Sequence, residues 1–329
     1  TATMGVMVAG LPDAWRRLCL AGGSGMWVVA ALAGPVYASG VSASWGWRWA
    51  LVVYLPVLIA ARAVMAGQIH DLRLDEETDH DETVPWLPAL AMAAGVALIG
   101  ALRASSPWFW PGVGVGTALV LWSCSCVLPD GTLRLVPGRR AGIATLLWVC
   151  AFFLTLDYLV APSAHDVLGL TPTQTGWALT AGGIGWSAVA IACGARPARE
   201  PQAYRRRTML AAVFFVVGTM LMVVTVLEKA DWWGLPVGYG VASIGMGLTH
   251  LDTMNRIVTD PVEPDGITHA QAATAVTIAG AAGGAVLGTA TTAFVAPAAA
   301  GVETSRLWPT LVLLAVGLLL TPLLARRAA

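Results

Sequence analysis

The chain has 329 residues, of which 57% are hydrophobic and only 12% are charged, and its mean hydropathy is +0.71. Ordinary soluble domains carry about twice that share of charged residues, so the composition excludes a soluble globular protein. The formal net charge is zero, which gives no overall electrostatic attraction for nucleic acid. The sequence therefore predicts an all-α protein that crosses a membrane several times.

Ten apolar stretches are long enough to cross a bilayer as helices, which takes about 20 residues each. They cover residues 18–39, 47–66, 86–103, 108–128, 141–161, 174–195, 208–227, 235–254, 269–295 and 307–325. If the N-terminus is cytoplasmic and every stretch crosses once, the 19 basic residues all fall on the cytoplasmic side except Arg48, Arg103, Lys229 and Arg306. The positive-inside rule then predicts that both termini are cytoplasmic. We expect an integral protein of a bacterial inner (plasma) membrane.

The first two stretches carry a distinctive pattern over residues 30–56. Gly34 and Pro35 lie among small residues in the first stretch, and Trp-Arg-Trp at residues 47–49 opens the second. Small residues let a neighbouring backbone pack closely. This stretch resembles the fifth and sixth helices of the major facilitator superfamily, in its fourteen-helix drug:proton antiporter group. That family has a GxxxGPxxGG pattern followed by a WRW-like signature. The resemblance implies a packing motif at Gly34 and Pro35.

An acidic segment follows at residues 67–85, where Asp71, Asp75 and Asp79 recur every fourth position. One interpretation is a magnesium-diphosphate site similar to that of UbiA-type intramembrane prenyltransferases. The other is a solvated acidic linker. The linker is favoured, because the nearest second cluster, at residues 260–265, is interrupted by prolines and neither cluster has the basic residues that hold a diphosphate. We expect no metal and no cofactor.

The resemblance divides the chain into three parts. Residues 1–66 correspond to the last two helices of the N-terminal bundle, residues 67–140 to the acidic cytoplasmic loop with an extra two-helix linker, and residues 141–329 to the six-helix C-terminal bundle. The expected fold is a partial major facilitator fold of about ten helices. Because four family helices have no counterpart here, we expect a fragment or a chain that needs a second polypeptide to supply them.

Asp157 is the one acid inside the stretch at residues 141–161. A carboxyl group in a membrane helix is costly, which marks Asp157 as a candidate proton or substrate site. Tyr158, Trp148 and Trp186 are candidates for an aromatic surface facing a lipophilic substrate. The alternatives are that Asp157 is wetted at the outer interface and that the aromatic side chains pack against lipid.

A second polar group ends the stretch at residues 235–254, where His250 and Asp252 are candidates for a proton relay. Asp252 and Arg256 also have the spacing of a favourable helical pair. The alternative is a wetted helix end. The loop between the stretches at residues 174–195 and 208–227 contains Arg196 and Arg205 to Arg207. It is similar to a family loop that also carries an aspartate, which is absent here. Those arginines either act in that loop's switch or fix the topology and contact anionic lipid.

Two further motifs are structural. Thr171, Pro172 and Gln174 have the pattern of a capping box with proline at the first helical position. In the stretch at residues 269–295, glycines recur every four positions and predict a close-packing stripe. The stripe consists of Gly280, Gly284 and Gly288.

Taken together, the resemblance implies a secondary active transporter, a proton-coupled exporter of small lipophilic or cationic molecules, and not an enzyme. Its expected partners are a small-molecule substrate, protons and membrane lipid. The prenyltransferase with Asp71, Asp75 and Asp79 is one alternative. A transport-inactive membrane scaffold is the other.

Overall fold

The computed structural model describes residues 44–70, 85–198, 200–259, 265–296 and 301–328, together with isolated positions between residues 26 and 42. The described residues form helices joined by turns, without a strand. In chain order the helices are α1 (Trp47–Val52), α2 (Tyr54–His70), α3 (Trp86–Ala101), α4 (Phe109–Val127), α5 (Arg139–Pro162), α6 (Pro172–Ala195), α7 (Pro201–Glu228), α8 (Gly234–Val258), α9 (His269–Val295), α10 (Thr304–Leu319) and α11 (Thr321–Ala328). A π-helical turn, Ser163–Val167, extends α5. The predicted all-α class is confirmed.

Seven helical segments in the described part of the chain are long and apolar enough to cross a membrane. They are Trp47–Gly67, Phe109–Val127, Arg139–Val167, Pro172–Ala195, Pro201–Glu228, His269–Val295 and Thr304–Ala328. Their length and composition indicate an integral membrane protein. The prediction of ten crossings is met only in part, because α3 has 16 residues and the stretch at residues 18–39 lies mostly outside the described residues.

Helix α8 is absent from these seven although it has 25 residues. Its glycines and its polar residues, including His250 and Asp252, make it less apolar than the other long helices. Its position explains why this is tolerated. It packs against α5, α6 and α7, so its polar groups meet protein instead of lipid, as intramembrane polar residues usually do.

The core lies among α5 to α10, and α5 is its central helix. One side of α5 packs against α9 and another against α8, while α10 packs against both α7 and α5. Phe153 of α5, Phe215 of α7 and Met246 of α8 are completely buried among these helices. The α3 and α4 hairpin packs on the outside of α9. This core positions the acids described below.

Helices α1 and α2 contrast with this core, because none of the residues in their most apolar window is buried. They contact each other, and tryptophans at residues 45, 47 and 49 are exposed. A helix pair of this kind is stable only in lipid or against a protein partner. The division of the chain at residues 66 and 140 stays a prediction.

Two glycines of the predicted stripe on α9 lie against α5. A Cβ atom at Gly284 would lie 2.9 Å from the Leu154 side chain of α5, and one at Gly288 would overlap the ring of Tyr158. No described atom of a neighbouring element lies within 4 Å of the Cβ position of Gly280. Gly283 instead faces Ala151 of α5. The helical repeat explains the difference, because a spacing of four drifts around the helix and a contact face combines spacings of three and four.

The other predicted packing motif, at Gly34 and Pro35, stays a prediction. The Cβ position of Gly34 has no described neighbour within 4 Å, and Pro35 lies outside the described residues. The predicted cap of α6 is confirmed, since Thr171 accepts the backbone N–H of Gln174 and the Gln174 side chain accepts the N–H of Thr171.

Contacts between helix ends define two ends of the body. The inner end comprises residues 138–140, 196–198, 200–207, 252–256, 265–268 and 325–328, which hydrogen-bond to one another across helices. The outer end comprises residues 163–170 and 301–306, joined by the hydrogen bond from the Val302 N–H to the Asp166 carboxylate. The sequence predicts that the inner end is cytoplasmic.

Candidate functional site

Asp157 lies in the outer half of α5 and is partly buried. The hydroxyl of Tyr239 on α8 donates a hydrogen bond of 2.5 Å to Asp157 Oδ1. Tyr239 is only 4% exposed. Its ring fits there because Gly182 of α6 has no side chain, and a Cβ at Gly182 would overlap the ring. Three helices therefore build the pair of Asp157 and Tyr239.

Aromatic rings continue from this pair toward the inner end. Tyr239 stacks on Phe153 with ring centres 5.9 Å apart, and Phe153 and Trp186 form a T-shaped contact with ring centres 5.7 Å apart. Trp186 in turn meets His250 edge to face at 5.2 Å. We call Tyr239, Phe153, Trp186 and His250 the aromatic column. The column contains two of the sequence candidates, Trp186 and His250, and a third, Asp157, is bonded to its first member, Tyr239.

Two aromatic candidates face elsewhere. Trp148 donates its indole N–H to the Gly317 carbonyl at 2.8 Å and packs on Phe152, so it faces α10. Tyr158 is 47% exposed and lies against Gly288 of α9. Neither side chain is directed at the pair of Asp157 and Tyr239. The helical repeat explains both orientations, because residues one or nine positions from Asp157 lie on other faces of α5.

Asp252, the last candidate, lies outside the aromatic column. Its carboxylate forms an ion pair of 2.6 Å with Arg207 of α7 and accepts the backbone N–H of Ala198 at 3.2 Å. Its side chain is 1% exposed. Arg207 also donates to the carbonyl of Arg196. Asp252 thus supplies a carboxylate to the arginine loop, which has no aspartate of its own.

Arg256 contributes to the same inner-end group by a different contact. Its guanidinium lies 4.4 Å from the ring centre of Tyr204 and donates to the Ala198 carbonyl at 3.1 Å. The Tyr204 hydroxyl is in turn 2.8 Å from the Thr253 hydroxyl. These contacts fix the link between α6 and α7 against the end of α8. A proton relay from His250 to Asp252 would therefore have to pass from the aromatic column to this inner-end group.

A second acid of the inner end also has an arginine partner. Arg139 donates through two guanidinium nitrogens to the two carboxylate oxygens of Asp265, with 2.8 Å between Nε and Oδ2. This hydrogen bonding lowers the pKa of Asp265 to about 2. Asp265 belongs to the second acidic cluster considered for a diphosphate site. Its carboxylate is therefore already occupied by Arg139.

Chemically, the acids differ in what neutralises them. Among the described residues, Asp157 forms no ion pair, and its hydrogen-bond partner is a hydroxyl group. Such a carboxyl is able to accept a proton or a cation without first breaking an ion pair. The described residues contain no group of three or more metal-binding side chains. Asp71, Asp75 and Asp79 lie outside the described residues.

The sequence alone missed Tyr239 and Phe153. Tyr239 is 82 positions from Asp157, and no local pattern links them. A usable signal is the glycine content of α6 and α8, since Gly182 makes room for the Tyr239 ring.

No protein-family model matches the chain, and no curated protein matches it in sequence. The inference about function therefore depends on the two classes of acid, one bonded to a tyrosine hydroxyl and the other to arginine.

Proposed function

We propose that the protein is a secondary active transporter that exchanges protons for small lipophilic or cationic molecules. The observation that supports this most is the carboxyl of Asp157, which is partly buried in a membrane-spanning helix and bonded to the hydroxyl of Tyr239. An unpaired charge at this depth is costly. A proton or a cationic substrate removes that cost equally well, but both cannot do so at once.

This mutual exclusion is the basis of the proposed exchange. Binding of a cation at Asp157 displaces the proton, and by linkage binding of a proton displaces the cation. Tyr239 donates a hydrogen bond to the carboxylate and thereby holds it in one orientation. The rings of Phe153 and Trp186 lie next in line, and aromatic rings attract organic cations.

The resemblance to drug:proton antiporters supports export as the direction. In this proposal the protein lies in a bacterial inner membrane with its inner end in the cytoplasm. The prenyltransferase alternative gains no support from the described residues, because Asp265 is held by Arg139. No described feature favours the scaffold over the transporter.

The test uses the full chain reconstituted in vesicles with an imposed pH gradient and tetraphenylphosphonium as the lipophilic cation. Wild type should move the cation in response to the gradient, and Asp157→Asn should abolish that response. Tyr158→Phe is the matched control, because it changes the neighbouring residue on the α9 side of the helix. We expect it to transport like wild type.

Equilibrium binding sharpens the same test. Tetraphenylphosphonium should bind wild type more tightly as the pH rises, while Asp157→Asn should bind it weakly and without pH dependence. Gradient-driven transport that is undiminished in Asp157→Asn would remove Asp157 from the mechanism. A folded wild-type protein that neither transports nor binds any lipophilic cation would overturn the transporter proposal.

A further inference from the structure

The inner end carries four exposed arginines that come from two distant parts of the chain. Arg205 and Arg206 lie in the first turns of α7, and Arg326 and Arg327 lie in α11. Helix α11 brings them together. Two of its buried residues, Ala325 and Ala328, pack in one small apolar cluster with Ala198 and Tyr204.

Two hydrogen bonds fix α11 in this position. The guanidinium of Arg205 donates to the Arg326 carbonyl at 3.4 Å, and the backbone N–H of Gly138 donates to the Arg327 carbonyl at 2.9 Å. The backbone of α11 is thus tied to both α7 and the start of α5. The arginine side chains of α11 stay exposed.

In the part of the chain that the structure describes, none of these four guanidinium groups forms an ion pair with a carboxylate, whereas the adjacent Arg207 is paired with Asp252. Like charges this close repel one another and favour an anionic partner. Guanidinium groups bind phosphate with two parallel hydrogen bonds, which makes phosphate a suitable anion.

Exposed apolar side chains lie directly on the membrane side of the arginines. On α7 they continue from Arg206 at spacings of four and three residues. From α10 through Leu320 to α11 they lead up to Arg327 at the same spacings. The first set is Leu210, Val213 and Val217, and the second is Val316, Leu320 and Leu323; each of the six is between 40% and 57% exposed. Since α7 and α10 pack against each other, the two apolar stripes lie on neighbouring helices.

We propose that this surface, which we call the arginine groove, binds an anionic phospholipid. The phosphate headgroup meets Arg205, Arg206, Arg326 and Arg327, and the acyl chains lie on the two apolar stripes. A free phosphate ion would use the arginines alone, whereas the stripes favour a ligand with chains attached. The proposal is independent of Asp157 and of transport, because the arginines lie at the inner end whereas Asp157 lies in the outer half of α5.

The test measures lipid binding to the purified full chain by native mass spectrometry. Phosphatidylglycerol and phosphatidylcholine with identical acyl chains are compared, so that only the headgroup charge differs. Wild type should prefer phosphatidylglycerol by about tenfold or more. Each basic residue near a membrane surface contributes about fivefold to anionic-lipid binding, so Arg206→Gln with Arg327→Gln should lower that preference by about tenfold or more.

A matched double variant controls for total charge. Arg103→Gln with Arg134→Gln also removes two exposed arginines, but from loops outside the groove, and should keep the wild-type preference. Equal losses in the two double variants would show general charge attraction and overturn the proposal. Thermal unfolding of both variants verifies that they fold.

A last experiment, on the wild-type protein alone, distinguishes a bound lipid from a bound free anion. Dihexanoyl phosphatidylglycerol, a soluble short-chain lipid, should displace the bound lipid at concentrations where glycerol phosphate and inorganic phosphate do not. Displacement by all three at similar concentrations would mean that the arginines bind phosphate alone, and the lipid proposal would be wrong.

Discussion

Asp157 and Asp252 lie in helices that pack against each other, yet their carboxyl groups have different kinds of partner. Asp252 at the inner end is paired with Arg207, as Asp265 is with Arg139. Asp157 in the outer half is bonded to the Tyr239 hydroxyl. The comparison separates two uses of an acid in a membrane protein. Ion-paired acids hold helix ends together, while an acid without a cation stays open to a proton or a cationic ligand.

The two kinds of partner differ in energy. Breaking a buried ion pair by removing one partner leaves a buried charge without compensation, which is strongly destabilising. Removing the hydroxyl partner of a single hydrogen bond costs about 1 kcal/mol. Stability measurements therefore distinguish the acids without any knowledge of the substrate.

The largest effect is expected for Asp252→Asn. It leaves Arg207 without its carboxylate, and we expect the free energy of unfolding to fall by about 3 kcal/mol. This is the lower end of the range for buried pairs, because the Arg207 side chain is 24% exposed. Reversible unfolding in mixed micelles measures the loss.

The double variant with Arg207→Gln serves as the control. It removes both charges together, so it should lose less stability than the sum of the two single variants. Additive losses would show that the pair contributes nothing of its own.

The sequence predicts the helices well, because the length of an apolar stretch that crosses a bilayer is a local property. It also identifies Asp157, since an acid in such a stretch is rare enough to stand out. The partners of the acids depend on which helices pack together. For Asp252 the local rule of a spacing of four suggests Arg256, but the ion pair in the structure joins Arg207, 45 positions away.

Tyr239 shows the same limitation, namely that a local sequence pattern does not identify a residue's partner. A tyrosine in an apolar helix is compatible with lipid contact, core packing or a polar site, and its own sequence neighbourhood does not separate these. Its role depends on the contact of α5 with α8 and on the space left by Gly182 of α6. Neither is encoded within the few residues that a motif spans.

An intermediate effect is expected for Asp265→Asn, and it should depend on pH. The pKa of Asp265 is about 2 in the folded protein, below its ordinary value of about 4. The carboxylate therefore stabilises the fold above about pH 4, by about 2 kcal/mol, and this contribution is lost as the pH falls from 4 toward 2. Unfolding experiments should show a constant gap between wild type and variant from pH 7 to 5, which closes in stronger acid.

Asp130→Asn is the control for this effect, because Asp130 is an exposed acid in the neighbouring loop. Its stability should stay within about 0.5 kcal/mol of wild type at every pH. A gap for Asp265→Asn that persists unchanged at pH 2 would contradict the ion pair with Arg139.

The smallest effect is expected for Asp157→Asn. The asparagine carbonyl can still accept the hydrogen bond from Tyr239, so the free energy of unfolding should change by less than about 1 kcal/mol. Tyr239→Phe removes the donor and should cost about 1 kcal/mol, measured by the same unfolding experiment. If Asp157→Asn instead lost as much stability as Asp252→Asn, Asp157 would have a cationic partner in the folded protein. The two acids would then belong to one class, and Asp157 would no longer be free to exchange a proton for a cation.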